Sequence, residues 1–256
     1  MGPIALHGGG EFLPGDERFL DALLGVATRA EVARASGMDE MFDVASHAVA
    51  APPLRIVILP TAAARGRPER AGEIGAEAFE RRAKALGCRV AIEVALVVDA
   101  MTAADEAHAA RIASADLVYL PGGDPDITPP LLAGTAVGAA LDTGHRNGTV
   151  VAGASAGAMA LADWSWTPKG GIRGFGFVHG IAIVPHYDDI RRMAWQTSLA
   201  KVAPQGLGYL GLDERTGVIL EDGRWRVAGE GAAHWFAPGA SLPETARDGE
   251  WLQLID

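Results

Sequence analysis

The chain has 256 residues, 49% of them hydrophobic and 21% charged, with a formal net charge of −10. That length and apolar fraction predict a single domain over 1–256 with a sizeable core. The acidic balance argues against nucleic acid as a partner and gives no attraction to an anionic membrane surface.

The opening stretch MGPIALHGGGEFLPG has no basic segment followed by an apolar one, so no secretory leader is expected. Gly2 is not in a myristoylation context, because Leu6 stands where Ser or Thr is needed. Pro3 to Leu6 reads as a first strand, and Asp16 to Ala30 as a helix with Phe19, Leu20, Leu23 and Leu24 on one face. Residues 37–53 carry little pattern and read as a loop or insertion. Leu54 to Leu59 is a buried strand stopped by Pro60. Pro68 to Leu86 is a helix, with proline at its start and Gly87 just past its end. Cys88 follows; as the only cysteine it precludes an intramolecular disulfide and suits a reducing, cytoplasmic setting.

Arg89 to Val98 reads as a strand, and Thr102 to Ser114 as a helix with Thr102 as its N-cap. Asp116 to Leu120 is a strand stopped by Pro121-Gly122-Gly123. A helical stretch over Pro129 to Arg146 leads to the strand Thr149 to Ala152. Nowhere is there an apolar run of about 18 residues, the length a membrane helix needs. Strands alternating with helices predict an α/β fold, three layers with a mainly parallel sheet between helices. Residues 207–236 change character and read as short antiparallel strands added to the sheet edge.

The sharpest motif is Gly153-Ala154-Ser155-Ala156-Gly157, a G-x-S-x-G pattern between an apolar strand and a helix-forming run. A serine at so tight a strand-to-helix turn occupies strained backbone, and small neighbours let the turn close and substrate approach. The helix start would also point its dipole and free N–H groups at the reacting centre. Ser155 is therefore the expected nucleophile. A serine needs a base within hydrogen-bond reach. His186 follows the strand-like run 180–185, at the strand edge where open α/β sheets carry their sites. His179 stands before that run, at the wrong end. Oxyanion donors are expected from the N–H of Ala156 and, across the site, from Gly123 in the turn Leu120-Pro121-Gly122-Gly123-Asp124.

Together these residues resemble the dipeptidase E and cyanophycinase family of serine peptidases. The resemblance lies in GGGE (8–11), LPTA (59–62), YLPGGD (119–124), GASAGAM (153–159), PHYDD (185–189) and GLDERTGVILEDG (211–223). It implies a class I glutamine amidotransferase-like fold with serine in place of cysteine, and no cofactor or metal. It implies Ser155 as nucleophile, His186 as base, Gly123 and Ala156 as oxyanion donors, and Gly122 and Asp124 as substrate-side residues. Its substrates are small Asp-containing peptides or related amides, for which Arg173, Arg191, Arg192 or Arg215 would supply a clamp. The chain departs from the family in its acid. Asp163 is the only carboxylate between Ser155 and His186, placed on the elbow helix; Asp188, a more distant acid such as Glu214, or no acid at all are the alternatives.

Rival readings use other residues. An α/β-hydrolase esterase would take His7-Gly8-Gly9-Gly10 as its oxyanion motif and Asp213 and His234 as its acid and base. A non-catalytic binding module would keep the fold alone. A metal hydrolase on His186, Asp188 and Asp189 would lack a fourth ligand. The oligomeric expectation is a monomer or homodimer.

Overall fold

The computed structural model describes residues 1–36, 52–167, 169–188, 204–221 and 223–254. Most of the predicted loop 37–53 lies outside the described residues, as do Asp189, Arg191 and Arg192. The strands are β1 (Ile4–His7), β2 (Leu54–Ile58), β3 (Val90–Val94), β4 (Leu117–Leu120), β5 (Val150–Ala154), β6 (Ala162–Thr167) and β7 (Gly170–Arg173). They continue as β8 (Val178–Val184), β9 (Gly208–Leu212), β10 (Thr216–Glu221), β11 (Arg224–Gly229), β12 (Ala232–Phe236), β13 (Glu244–Arg247) and β14 (Trp251–Leu252). The helices are α1 (Glu17–Ser36), α2 (Pro68–Leu86), α3 (Ala100–Ala103), α4 (Glu106–Ala113), α5 (Thr128–Leu132), α6 (Ala136–Arg146) and α7 (Ala156–Leu161).

The first sheet has the order β14-β11-β10-β1-β5-β4-β2-β3, and β1 to β5 pair in parallel within it. The three strands on the other side of β1 are antiparallel, as the C-terminal pattern predicts. One face packs Ala5, Ile56, Ile58, Leu117 and Tyr119 against Phe19, Leu23 and Leu24 of α1 and Phe79 of α2. The opposite face buries Leu6, Val57, Val118 and Val151 with residues of α4, α6 and α7. Strands buried on both faces are why β1, β4 and β5 read as unbroken apolar runs rather than alternating ones.

A second, six-stranded sheet runs β13-β12-β9-β8-β6-β7. Thus β9 and β12 do not extend the first sheet. Its residues Ile181, Ile183, Leu210, Leu212 and Trp235 share the core on the face of the first sheet that holds α4, α6 and α7. The segment Trp164 to Phe177 includes most of the β6–β7 hairpin at this sheet's edge. Phe175 and Phe177 pack on the core, and Trp164 and Trp166 pack near Tyr187, Tyr209 and Phe236.

Several helix boundaries differ from the sequence reading. The predicted helix 102–114 is two helices, because Asp99 and Asp105 each cap a start. Thr102 is the third residue of a capping box closed by Asp99, not the cap. The stretch 129–146 also divides: Gly134 is left-handed and Thr135 caps a fresh helix.

Candidate active site

Register places the site. Leu6 pairs with Gly153 and His7 with Ala154, while Leu120 also pairs with Gly153. The chain leaving β1, β4 and β5 therefore emerges side by side on one edge. β10 runs the other way, so its beginning, preceded by Glu214, reaches that same edge.

Ser155 follows β5 directly, at φ 47°, ψ −114°. A non-glycine residue held there costs about 1–3 kcal/mol, which the surrounding fold must offset. The two flanking glycines show how the turn closes. A Cβ on Gly153 would stand 2.5 Å from the Gly157 carbonyl, and one on Gly157 would stand 2.0 Å from the Leu120 oxygen. The Ser155 N–H donates to the His7 carbonyl at 2.9 Å, tying the elbow to the end of β1.

His186 comes from the second sheet, just past β8. It too has positive φ, 52°, and its N–H donates to the Gly8 carbonyl at 2.7 Å. Its Nε2 lies 3.0 Å from Ser155 Oγ, and its Nδ1 lies 2.7 Å from Glu214 Oε1. An ionised carboxylate can only accept, so Nδ1 carries the hydrogen and Nε2 is left bare to receive the serine proton. The Glu214 N–H in turn donates to Asp188 Oδ1 at 3.0 Å.

The acid at the histidine is Glu214, and the expectation for Asp163 is corrected. The elbow helix ends at Leu161, so Asp163 lies on β6. There its carboxylate accepts from the Gly180 N–H at 2.7 Å and meets His179 Nδ1 at 3.0 Å. Glu214 is among the alternatives; what the sequence hides is that β10 pairs with β1, which delivers Glu214 to this edge.

The triple glycine after β1 is the bed on which this pair rests. A Cβ on Gly9 would stand 2.2 Å from Cε1 of His186, and one on Gly10 would stand 3.2 Å from Glu214 Oε2. The loop is held by buried polar groups. The Gly9 N–H donates to His7 Nδ1 at 3.2 Å, and the Phe12 N–H donates to Asp16 at 2.8 Å. His7 Nε2 stands 2.9 Å from Asp16 Oδ1, off good hydrogen-bond alignment, with both side chains fully enclosed.

The Gly122–Asp124 turn forms the opposite wall. A Cβ on Gly122 would lie 3.2 Å from Ser155 Cβ, so this residue flanks the serine. Its N–H is taken by Glu11 Oε1 at 2.8 Å. Gly123, at φ 156°, packs so closely that a Cβ would meet the Ala62 oxygen at 2.3 Å. Among the described residues no acceptor meets its N–H. Ala156 opens α7, where an N–H has no intrahelical acceptor. Asp124 turns to its own surroundings: its carboxylate pairs with Arg65 at 2.8 Å and accepts from the Asp126 N–H at 2.9 Å. Lys169, on the β6–β7 turn, reaches Asp126 at 3.4 Å.

Of the other arginine candidates within the described residues, Arg215 adjoins the relay, next to Glu214 and with its N–H on the Gly9 carbonyl at 2.8 Å. Arg173 is exposed on β7, and the Arg215 side chain lies 3.8 Å from Glu230. Asp213 and His234, the esterase acid and base, do pair with each other at 3.2 Å, but the histidine at Ser155 is His186. Among the described residues no three His, Cys, Asp or Glu side chains converge as a metal site would, and no helix is long and apolar enough to cross a membrane.

The fold is thus α/β, with this elbow at the carboxyl edge of the parallel strands of its first sheet. The sequence matches the family model for peptidase family S51 over residues 48–228, and the chain belongs to that family. A crystal structure of a peptidase from an acI-B1 Actinobacterium superposes with a TM-score of 0.75 at 23% identity, covering 98% of this chain and 96% of that one. A putative peptidase E protein from Listeria monocytogenes EGD-e superposes at 0.54 and 13% identity, covering 90% and 98%. No curated protein matches the sequence.

Proposed function

We propose that this peptidase is a cytoplasmic, single-domain serine enzyme cleaving small Asp-containing peptides or related amides through an acyl-enzyme on Ser155. One observation carries the reading: the continuous chain Ser155 Oγ–His186 Nε2 at 3.0 Å and His186 Nδ1–Glu214 Oε1 at 2.7 Å. In it, Ser155 Oγ attacks the scissile carbonyl while its proton passes to His186 Nε2. Glu214 holds the imidazole in the receptive tautomer and stabilises the imidazolium. The developing oxyanion is met by the N–H groups of Gly123 and Ala156. Collapse expels the amine with the proton from His186, and water repeats the sequence to release the acid. The Asp preference is supported by the family membership and by the peptidase E designation of the Listeria relative. Arg65, standing beside Asp124 at the oxyanion turn, is a cation on hand for an acidic substrate.

Labelling with a fluorophosphonate probe, read by intact mass, tests this. One adduct on the wild type, lost in Ser155→Ala and His186→Ala, is expected. An adduct that survives in Ser155→Ala, or its absence from the wild type, overturns the serine mechanism. Hydrolysis of Asp-containing dipeptides in preference to their Asn counterparts then tests the substrate class.

A further inference from the structure

Glu11 lies outside the Ser155–His186–Glu214 chain, yet it is bonded to the turn facing the serine. Its Oε1 accepts the Gly122 N–H at 2.8 Å across 111 residues of sequence. A Cβ built on Gly122 would stand 2.9 Å from that oxygen on one side and 3.2 Å from Ser155 Cβ on the other. Gly122 is thus clasped between the Glu11 carboxylate and the nucleophile. With its own N–H occupied, Gly122 has no donor left for an oxyanion, and the next one along the chain is Gly123.

Gly123 needs such a hold. Its extended positive φ of 156° is open only to glycine, and glycine is the residue with the most alternative conformations to lose. The turn is anchored on its far side by the Asp124 N–H, which donates to the Ala62 carbonyl at 2.8 Å. Glu11 supplies the anchor on the near side. Glu11 is itself held, because the following residue Phe12 is fixed at φ 67° with its N–H on Asp16. The Phe12 ring packs 5.3 Å from the ring of Tyr119, on the strand that leads into the turn.

We infer that Glu11 is a positioning residue of the oxyanion site, clamping the Gly122 N–H so that the Gly123 N–H faces the oxygen on which charge develops. This rests on the serine reading above. It requires an acceptor at this place rather than a charge. Glu11→Gln keeps a carbonyl oxygen, whereas Glu11→Ala leaves the glycine turn unclamped.

The rate of phosphonylation by a fluorophosphonate probe reads this directly. Ser155 Oγ bonds to phosphorus, the P–F bond breaks, fluoride leaves, the serine proton goes to His186, and the phosphoryl oxygen occupies the oxyanion site. Losing one oxyanion donor costs on the order of 10²-fold or more. Glu11→Ala is therefore expected to lower the maximal inactivation rate by about 10- to 100-fold. Its half-saturating probe concentration and the shape of its pH profile stay as in the wild type. Glu11→Gln is expected to react about as fast as the wild type, or faster, since the donor geometry that sets the rate is kept. Ser155-dependent labelling with Glu11→Ala at the wild-type rate overturns the inference alone, as does Glu11→Gln being as slow as Glu11→Ala. Labelling that does not depend on Ser155 overturns the parent reading and this one with it.

Discussion

Glu214 Oε1 accepts a 2.7 Å hydrogen bond from Nδ1 of His186; His186 follows β8 of the second sheet, and Glu214 lies just before β10 of the first. The bond fixes which imidazole nitrogen faces Ser155. Glu214→Gln should therefore lower the rate of Ser155 phosphonylation and of peptide hydrolysis by about 10²- to 10⁴-fold, the range seen when a triad acid is neutralised. Asp163→Asn, altering a carboxylate engaged with His179 and the Gly180 N–H, should stay within about threefold of wild type, as for changes outside the reacting groups. The reverse ranking would return the acid's role to Asp163.

Gly9 and Gly87 make a matched pair. Both have positive φ, 108° and 69°, but a Cβ on Gly9 runs into the His186 ring whereas one on Gly87 meets nothing within 4 Å. Gly87→Ala should cost about 1 kcal/mol of stability, the usual penalty where alanine must take a positive φ, and leave turnover unchanged. Gly9→Ala should in addition displace the imidazole and cut kcat by about 10²-fold, as ångström-scale misplacement does. Thermal unfolding and kcat, measured on both variants, separate the two effects.

His145 is buried beside Phe177, with no hydrogen-bond partner at Nδ1. Burial and the nearby N-terminal ammonium lower its affinity for a proton, opposed by Asp142 and the hydrogen bond with Thr149. As pH falls below the ordinary imidazole value of 6.5, the unfolded chain takes up a proton that the folded chain resists, so stability drops. Melting curves between about pH 7.5 and 5.5 should show a declining midpoint in wild type and a shallower decline in His145→Gln, as linkage requires. Equal slopes would remove His145 from the acid sensitivity.

Cys88 has its thiol pushed up by burial, only partly offset by a hydrogen bond with Thr28. Thiolate is the reactive form, so iodoacetamide near pH 8 should alkylate the folded protein several-fold more slowly than the urea-unfolded chain. A faster reaction in the folded state would mark an activated cysteine instead.

The parallel strands and the elbow were legible in the sequence because both are local. Apolar runs bounded by Pro and Gly place β2, β4 and β5 to within a residue or two, and Gly153-x-Ser155-x-Gly157 needs only its immediate neighbours to close. His186 was legible for the same reason, as the residue just past an apolar strand. The acid was not. Reading Asp163 onto the elbow helix assumed that the helix-forming run AGAMALA continued, whereas the chain turns to strand after Leu161. Choosing Glu214 required knowing that β10 pairs antiparallel with β1, a contact across some 210 residues that no local pattern encodes. The glycines at 8–10 were visible as a motif, but their purpose, room for His186 and Glu214, appears only once the second sheet is in place.

The placement of His186 has a mechanical corollary. Ser155 follows β5 of the first sheet, Glu214 lies in the link from β9 of the second sheet to β10 of the first, and His186 follows β8 of the second with its N–H on the Gly8 carbonyl. The proton relay is therefore a gauge of alignment between two slabs of the molecule that share one core. A tilt or slide of a single ångström would open the 3.0 Å gap past hydrogen-bond length and leave both slabs folded. Loss of turnover should precede loss of structure on heating, and anything that braces the seam between the sheets should extend the working range upward.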